Sequence, residues 1–183
     1  MENIKLFCVS LGCDKNLVDT EKMLGLLNGQ GIIFTDDETE ADVILINTCC
    51  FIGDAKEESV NTILEMARYK EEGNLKALLV AGCLAQRYKQ EILDEIPEVD
   101  AILGTTSYEE VAKVLEQVLM GSSGIHLSCF RDLSELPQVE ARRVVTTGGH
   151  YAFLKIAEGC DKRCTYCIIP YLRGPYRSVP IEQ

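Results

Sequence analysis

Along the chain, short apolar, β-branched runs alternate with stretches in which apolar residues recur every three or four positions. That alternation is the pattern of β-α units and a mostly parallel sheet, so the expected fold class is α/β. Ile4 to Ser10, Val43 to Asn47 and Ala77 to Ala81 read as strands. Val60, Ile63, Leu64 and Ala67 fall at i, i+3, i+4 and i+7 and predict a helix from about Ala55 to Lys70 with one apolar stripe. Tyr88, Ile92 and Ile96 repeat that period after the third strand. Ser107 with Glu110 three residues on predicts a capping box, and Val111, Val114, Leu115 and Val118 supply the buried face of the helix that follows.

Beyond that helix the periodicity fades. Gly121-Ser122-Ser123-Gly124 reads as a loop, and the stretch to His150, with Pro137 and Gly148-Gly149, reads as a connection between domains. A further strand is predicted over Tyr151 to Ile156, running directly into a cysteine-rich loop. The expected organisation is a first domain over 1–124, a connection over 125–149 and the start of a second domain over 150–183. About thirty residues are too few for that second part to build its own core.

Composition places the chain among ordinary globular proteins: 46% of residues are apolar and 26% charged, which excludes the disordered and collagen-like classes. The start lacks the basic and apolar regions of a signal peptide, and no apolar run reaches bilayer length, so no membrane association and a cytoplasmic location are expected. Net charge is −11, unevenly spread. Residues 1–141 hold 11 Lys/Arg against 26 Asp/Glu, and residues 142–183 hold 7 against 3. The acidic front part argues against nucleic-acid contact there, because phosphate neutralisation needs Lys and Arg. It would suit a basic protein partner, although the same charge also serves solubility.

Nine cysteines in a reducing compartment point to metal binding or chemistry rather than to disulfides. Cys13, Cys49 and Cys83 each lie just past one of the three apolar runs. Parallel strands bring such positions to one edge of a sheet, where these folds bind ligands. Thiolates ligate iron-sulfur clusters, and three of them leave one iron of a four-iron cluster open. The competing reading is that small cysteines fill core space at strand ends, as Cys8 inside the first strand is expected to do. Cys129 has no assigned role. Cys160, Cys164 and Cys167 form a CxxxCxxC loop after the predicted fourth strand. A zinc site is the alternative there, but zinc prefers four ligands, and His126 and His150 both lie upstream and read as ordinary residues.

The CxxxCxxC loop resembles the cluster loop of the radical S-adenosylmethionine superfamily. The segments Ser10 to Glu21, Asn47 to Ile52, Val80 to Cys83 and Ala157 to Gly174 together resemble the methylthiotransferases within it. The resemblance implies two 4Fe-4S clusters, an auxiliary one on Cys13, Cys49 and Cys83 and a radical one on Cys160, Cys164 and Cys167, with S-adenosylmethionine on the latter's open iron. It also implies that Tyr166 lies near the adenine and that a partial β/α barrel begins near residue 150, so that this chain alone is expected not to turn over. Leu11 to Asn16 and Ile168 to Gly174 are most similar to the ribosomal-protein branch, which modifies the β-carbon of an aspartate in a small-subunit protein. A flavodoxin- or ferredoxin-type reductant is implied as a further partner. Transfer-RNA methylthiotransferases and a non-catalytic iron-sulfur module are the alternatives. Two positions depart from the family: Cys50 stands where glycine is usual, and Val179 where arginine is common. Cys49, matching the family's Asn-Thr-Cys, is the expected ligand of the adjacent pair.

Overall fold

The computed structural model describes residues 3–121, 126–137 and 142–181. Six strands, β1 (Ile4–Ser10), β2 (Ile32–Thr35), β3 (Val43–Thr48), β4 (Ala77–Gly82), β5 (Ala101–Leu103) and β6 (Leu127–Cys129), form one sheet in the order β2-β1-β3-β4-β5-β6. Every pairing in it is parallel. Helices α1 (Asp14–Leu27), α2 (Gly53–Ala67), α3 (Tyr69–Glu72), α4 (Cys83–Tyr88), α5 (Gln90–Glu95) and α6 (Val111–Met120) connect them. Two further short strands, β7 (Ala157–Glu158) and β8 (Arg177–Ser178), pair antiparallel and flank α7 (Ile169–Arg173).

β3 and β4 are buried at every position, as central strands are when helices cover both faces of a parallel sheet. Ile44, Ile46, Leu78, Val80 and Ile102 pack beneath α2, α4 and α5. Leu6, Val43, Leu45, Leu79 and Leu103 serve the opposite face, against α1 and α6. From β1 the chain goes out to β2 and returns to β3 on β1's other side. Helices leaving the neighbouring ends of β1 and β3 therefore diverge to opposite faces and open a crevice at the carboxyl edge, the place where doubly wound sheets bind ligands. α7 docks on this layer: Leu172 is 1% exposed within the core cluster of α4, and its carbonyl accepts from Thr105 Oγ1 at 2.5 Å.

The structure corrects several local expectations. Tyr151 to Ile156 is not a strand; pairing begins only at Ala157, and Tyr151, Leu154 and Ile156 are exposed. A strand needs a neighbour to take its backbone groups in a continuous ladder, and this segment has only separate bonds: Val179 N to the Ile156 carbonyl at 2.9 Å, and the Arg143 and Thr147 side chains to the carbonyls of Phe153 and Tyr151. Leu127–Cys129, within the expected connection, instead extends the sheet beside β5. Ser107 forms no capping box: its side chain accepts from Arg131 N at 2.8 Å, a 3₁₀ turn spans Tyr108–Glu110, and α6 starts only at Val111. The helix expected to reach Lys70 ends at Ala67, with Ile63 and Ala67 buried but Leu64 46% exposed. The period through Tyr88, Ile92 and Ile96 is split at Lys89, whose φ of 46° belongs to no right-handed helix.

Candidate metal centre

Cys13 is the N-cap of α1, Cys49 follows the last residue of β3, and Cys83 opens α4 directly after β4. β1, β3 and β4 are neighbours in register, Ser10 opposite Asn47 and Thr48 opposite Gly82, so the three cysteines gather at one end of adjacent strands. Cys13 is exposed, whereas Cys49 and Cys83 are buried. Two of the three thiols thus lie at helix starts, where unpaired N–H groups and the helix dipole favour negative charge.

Glycine makes the approach of these loops possible. A Cβ at Gly12, φ +88°, would sit 2.5 Å from Cys49 Cβ and 2.8 Å from its sulfur. A Cβ at Gly82, φ +91°, would collide with Asn47 Oδ1 and the backbone of Thr48. The polar scaffold is equally specific. Asn16, one turn along α1 from Cys13, donates through Nδ2 to the carbonyls of Leu11 at 2.9 Å and Thr48 at 2.8 Å. Asn47 donates to the Asn16 carbonyl at 2.8 Å and to Thr20 Oγ1 at 2.9 Å. Ser59 Oγ accepts from Cys49 N at 3.0 Å and donates to Cys49 O at 2.8 Å, pinning the loop to α2. None of these three polar residues was singled out by sequence reasoning, although Asn16 and Asn47 lie inside the quoted motifs.

Cys50 turns away from its neighbour. It is 1% exposed, lies in the core cluster beneath α2 and α4, and its thiol donates to the Cys83 carbonyl at 3.2 Å. Burial pushes that thiol up to about 11. Cys8 packs against the α1 and α6 side of the core, and burial pushes it up to about 12. Cys129 ends β6. His126 Nδ1 bonds the Val99 carbonyl at 2.8 Å.

In the second set, Cys160 N donates to the Gly174 carbonyl and Cys167 N to the Cys164 carbonyl, both at 3.0 Å. These bonds close the loop between β7 and α7. Cys164 is exposed and Tyr166 is 87% exposed, whereas Cys160 and Cys167 are half-buried. Gly159, φ +75°, lies so close to the Pro175 carbonyl that no side chain would fit.

A buried ionic network joins the two regions, and sequence reasoning missed it. Arg173, 3% exposed at the end of α7, donates through Nη1 to Asp19 Oδ2 at 2.6 Å and Glu158 Oε2 at 3.1 Å. Its Nη2 donates to Asn16 Oδ1. Lys155 completes the square with Asp19 and, at 2.8 Å, with Glu158. Burial alone would raise the Glu158 carboxyl, but Arg173 and Lys155 outweigh it and hold it at about 2. Burial pushes the Cys83 thiol up, and the charge of Arg173 opposes the rise. No spacing rule could have paired residues 154 positions apart, such as Asp19 and Arg173.

Among the described residues no three His, Cys, Asp or Glu side chains stand within reach of a single metal ion. A cluster takes one thiolate at each ligated iron and so spans a wider set. The all-thiolate donors at both places, the glycine-lined approach at Gly12 and the helix starts behind Cys13 and Cys83 fit such a group.

With this site in view, comparison with known proteins defines the class. The chain belongs to the family described as uncharacterized protein family UPF0004, whose model matches residues 5–104. It is also similar to proteins named ribosomal protein uS12 methylthiotransferase RimO. That of Lachnoclostridium phytofermentans is 63% identical over 180 residues, which is 98% of this chain and 40% of the relative. That of Acetivibrio thermocellus is 52% identical over 182 residues, and that of Clostridioides difficile 49% over 180, each again covering 40% of the relative. The chain therefore spans about 40% of the length of these relatives. Among the described residues no helix is long and apolar enough to cross a membrane.

Proposed function

We propose that the chain carries the two thiolate sets of a radical S-adenosylmethionine methylthiotransferase acting on ribosomal protein uS12. The gathering of Cys13, Cys49 and Cys83 at the carboxyl edge of β1, β3 and β4 carries this reading, with α7 bringing the CxxxCxxC segment against the same edge. The names of the relatives favour the ribosomal protein over transfer RNA as substrate. When bound, the group at Cys160, Cys164 and Cys167 would supply hydrogen-atom abstraction through S-adenosylmethionine, and the group at Cys13, Cys49 and Cys83 would supply sulfur.

The chain's own residues have separate tasks in this reading. Asn16, Asn47 and Ser59 hold the first three thiols in place through main-chain bonds. Gly12 leaves room beside Cys49 for an inorganic group. Tyr166, beside the last thiol, offers an aromatic face for the adenine. The acidic front part suits a basic ribosomal protein, and a flavodoxin- or ferredoxin-type protein would deliver electrons in the cytoplasm.

Anaerobic reconstitution with iron and sulfide, followed by iron counting and electron paramagnetic resonance, tests the reading. The chain should take up two clusters, and the triple alanine variants C13A/C49A/C83A and C160A/C164A/C167A should each lose one. Full iron content in either variant would sink the ligand assignment. The substrate is tested by mass spectrometry of uS12 and of transfer RNA from cells carrying this sequence joined to the remaining length of its relatives. A methylthiolated transfer RNA with unmodified uS12 would replace the proposed substrate.

A further inference from the structure

A buried cation, Arg173, reaches the surroundings of the first three thiols from the other cysteine segment. Arg173 lies six residues after Cys167, yet its side chain crosses to α1 and α4. Asn16 Oδ1, which receives Arg173 Nη2, also faces the Cys83 sulfur at 3.9 Å. Asp19, Glu158 and Lys155 hold the guanidinium on its other side. Two cations and two carboxylates balance within the square, so a negatively charged group on the adjoining thiolates would be the uncompensated charge there. Such a group is more easily reduced when a cation or a hydrogen-bond donor lies beside its sulfurs, and burial strengthens the effect.

We propose that Arg173 is the positioning residue through which the second cysteine segment sets the charge environment, and so the reduction potential, of a cluster held by Cys13, Cys49 and Cys83. The inference rests on those three residues holding a cluster. Docking of α7 and the redox poise of the first site then become one event: a chain whose second segment swings away leaves Asp19 beside the site without its cation. A purely structural Arg173 would affect stability but leave the potential unmoved.

The experiment uses the full 183-residue chain with the second set replaced, C160A/C164A/C167A, so that one cluster reports. Its potential is measured by anaerobic redox titration followed by electron paramagnetic resonance. Asp19→Asn retains Arg173 with one counter-charge fewer and should shift the potential positive. Adding Arg173→Met, which keeps the square neutral with Lys155 and Glu158, should reverse the shift. The ratio of reduced to oxidised cluster at fixed ambient potential should fall about tenfold relative to Asp19→Asn alone, roughly 59 mV for a one-electron couple. Unchanged potentials in both variants would overturn the proposal. Should the double variant not fold, Asp19→Asn decides alone, since an unchanged or negative shift there also overturns it. A parent chain that takes up no iron would instead overturn the cluster reading, and this inference with it.

Discussion

Asn47 at the end of β3 donates its amide to the main-chain oxygen of Asn16 in the first turn of α1, at 2.8 Å and with 2% exposure. Its other N–H reaches Thr20, and its own oxygen lies where a Cβ on Gly82 would have to go. One side chain therefore sets the spacing of all three cysteine loops. Asn47→Ala removes two buried hydrogen bonds and leaves a void in their place, and should destabilise the fold by about 2–3 kcal/mol. Urea unfolding checks the magnitude, and iron content after reconstitution should fall in parallel.

Adjacent thiols should behave differently. Cys49→Ala should abolish one of the two clusters, because its sulfur lies at the Gly12 approach. Cys50→Ala should leave cluster content unchanged and cost about 1 kcal/mol, the value of its buried bond to the Cys83 carbonyl and a small void. Iron counting on the two single variants separates them, and the reverse pattern would exchange the assignments.

Gly12→Ala strains a backbone at φ +88° and drives a methyl group into Cys49. It should lower stability by about 1–3 kcal/mol and reduce uptake at the first site while sparing the second. A variant with normal iron content would show that the loop relaxes without displacing Cys49.

Acid should undo the ionic square before the core. Glu158 is held at about 2 against an ordinary value of 4.5, so its contribution is fully present above pH 4.5 and is lost as pH falls toward about 2. At about 1.4 kcal/mol for each pH unit this is roughly 3 kcal/mol. Glu158→Gln should remove most of that dependence. Denaturant midpoints measured from pH 5 to pH 2.5 check it; an equal slope in parent and variant would show that Glu158 contributes no such stabilisation.

That Cys13, Cys49 and Cys83 share one edge was legible from sequence because each position depends on local facts. β1, β3 and β4 announce themselves as apolar runs, a cysteine follows each at short range, and parallel pairing brings those ends together. The CxxxCxxC spacing is likewise a property of one loop. Tyr151 to Ile156 shows the limit of such reasoning: its composition favours a strand, but a strand is a relation between two segments. Leu127–Cys129, polar in its surroundings and only three residues long, became one because β5 offered an open edge.

By itself, then, the sequence determined the α/β architecture and the placing of Cys13, Cys49 and Cys83 at neighbouring strand ends. Tertiary structure alone decided that Ser107 bonds Arg131 rather than capping a helix, that the period after β4 breaks at Lys89, and that Arg173 lies against Asn16 between Asp19 and Glu158. Hydrophobic periodicity is written into neighbouring residues, three or four apart. Buried charges find partners only where remote segments are pressed together, because leaving any one of them unpaired costs several kcal/mol and excludes the alternatives.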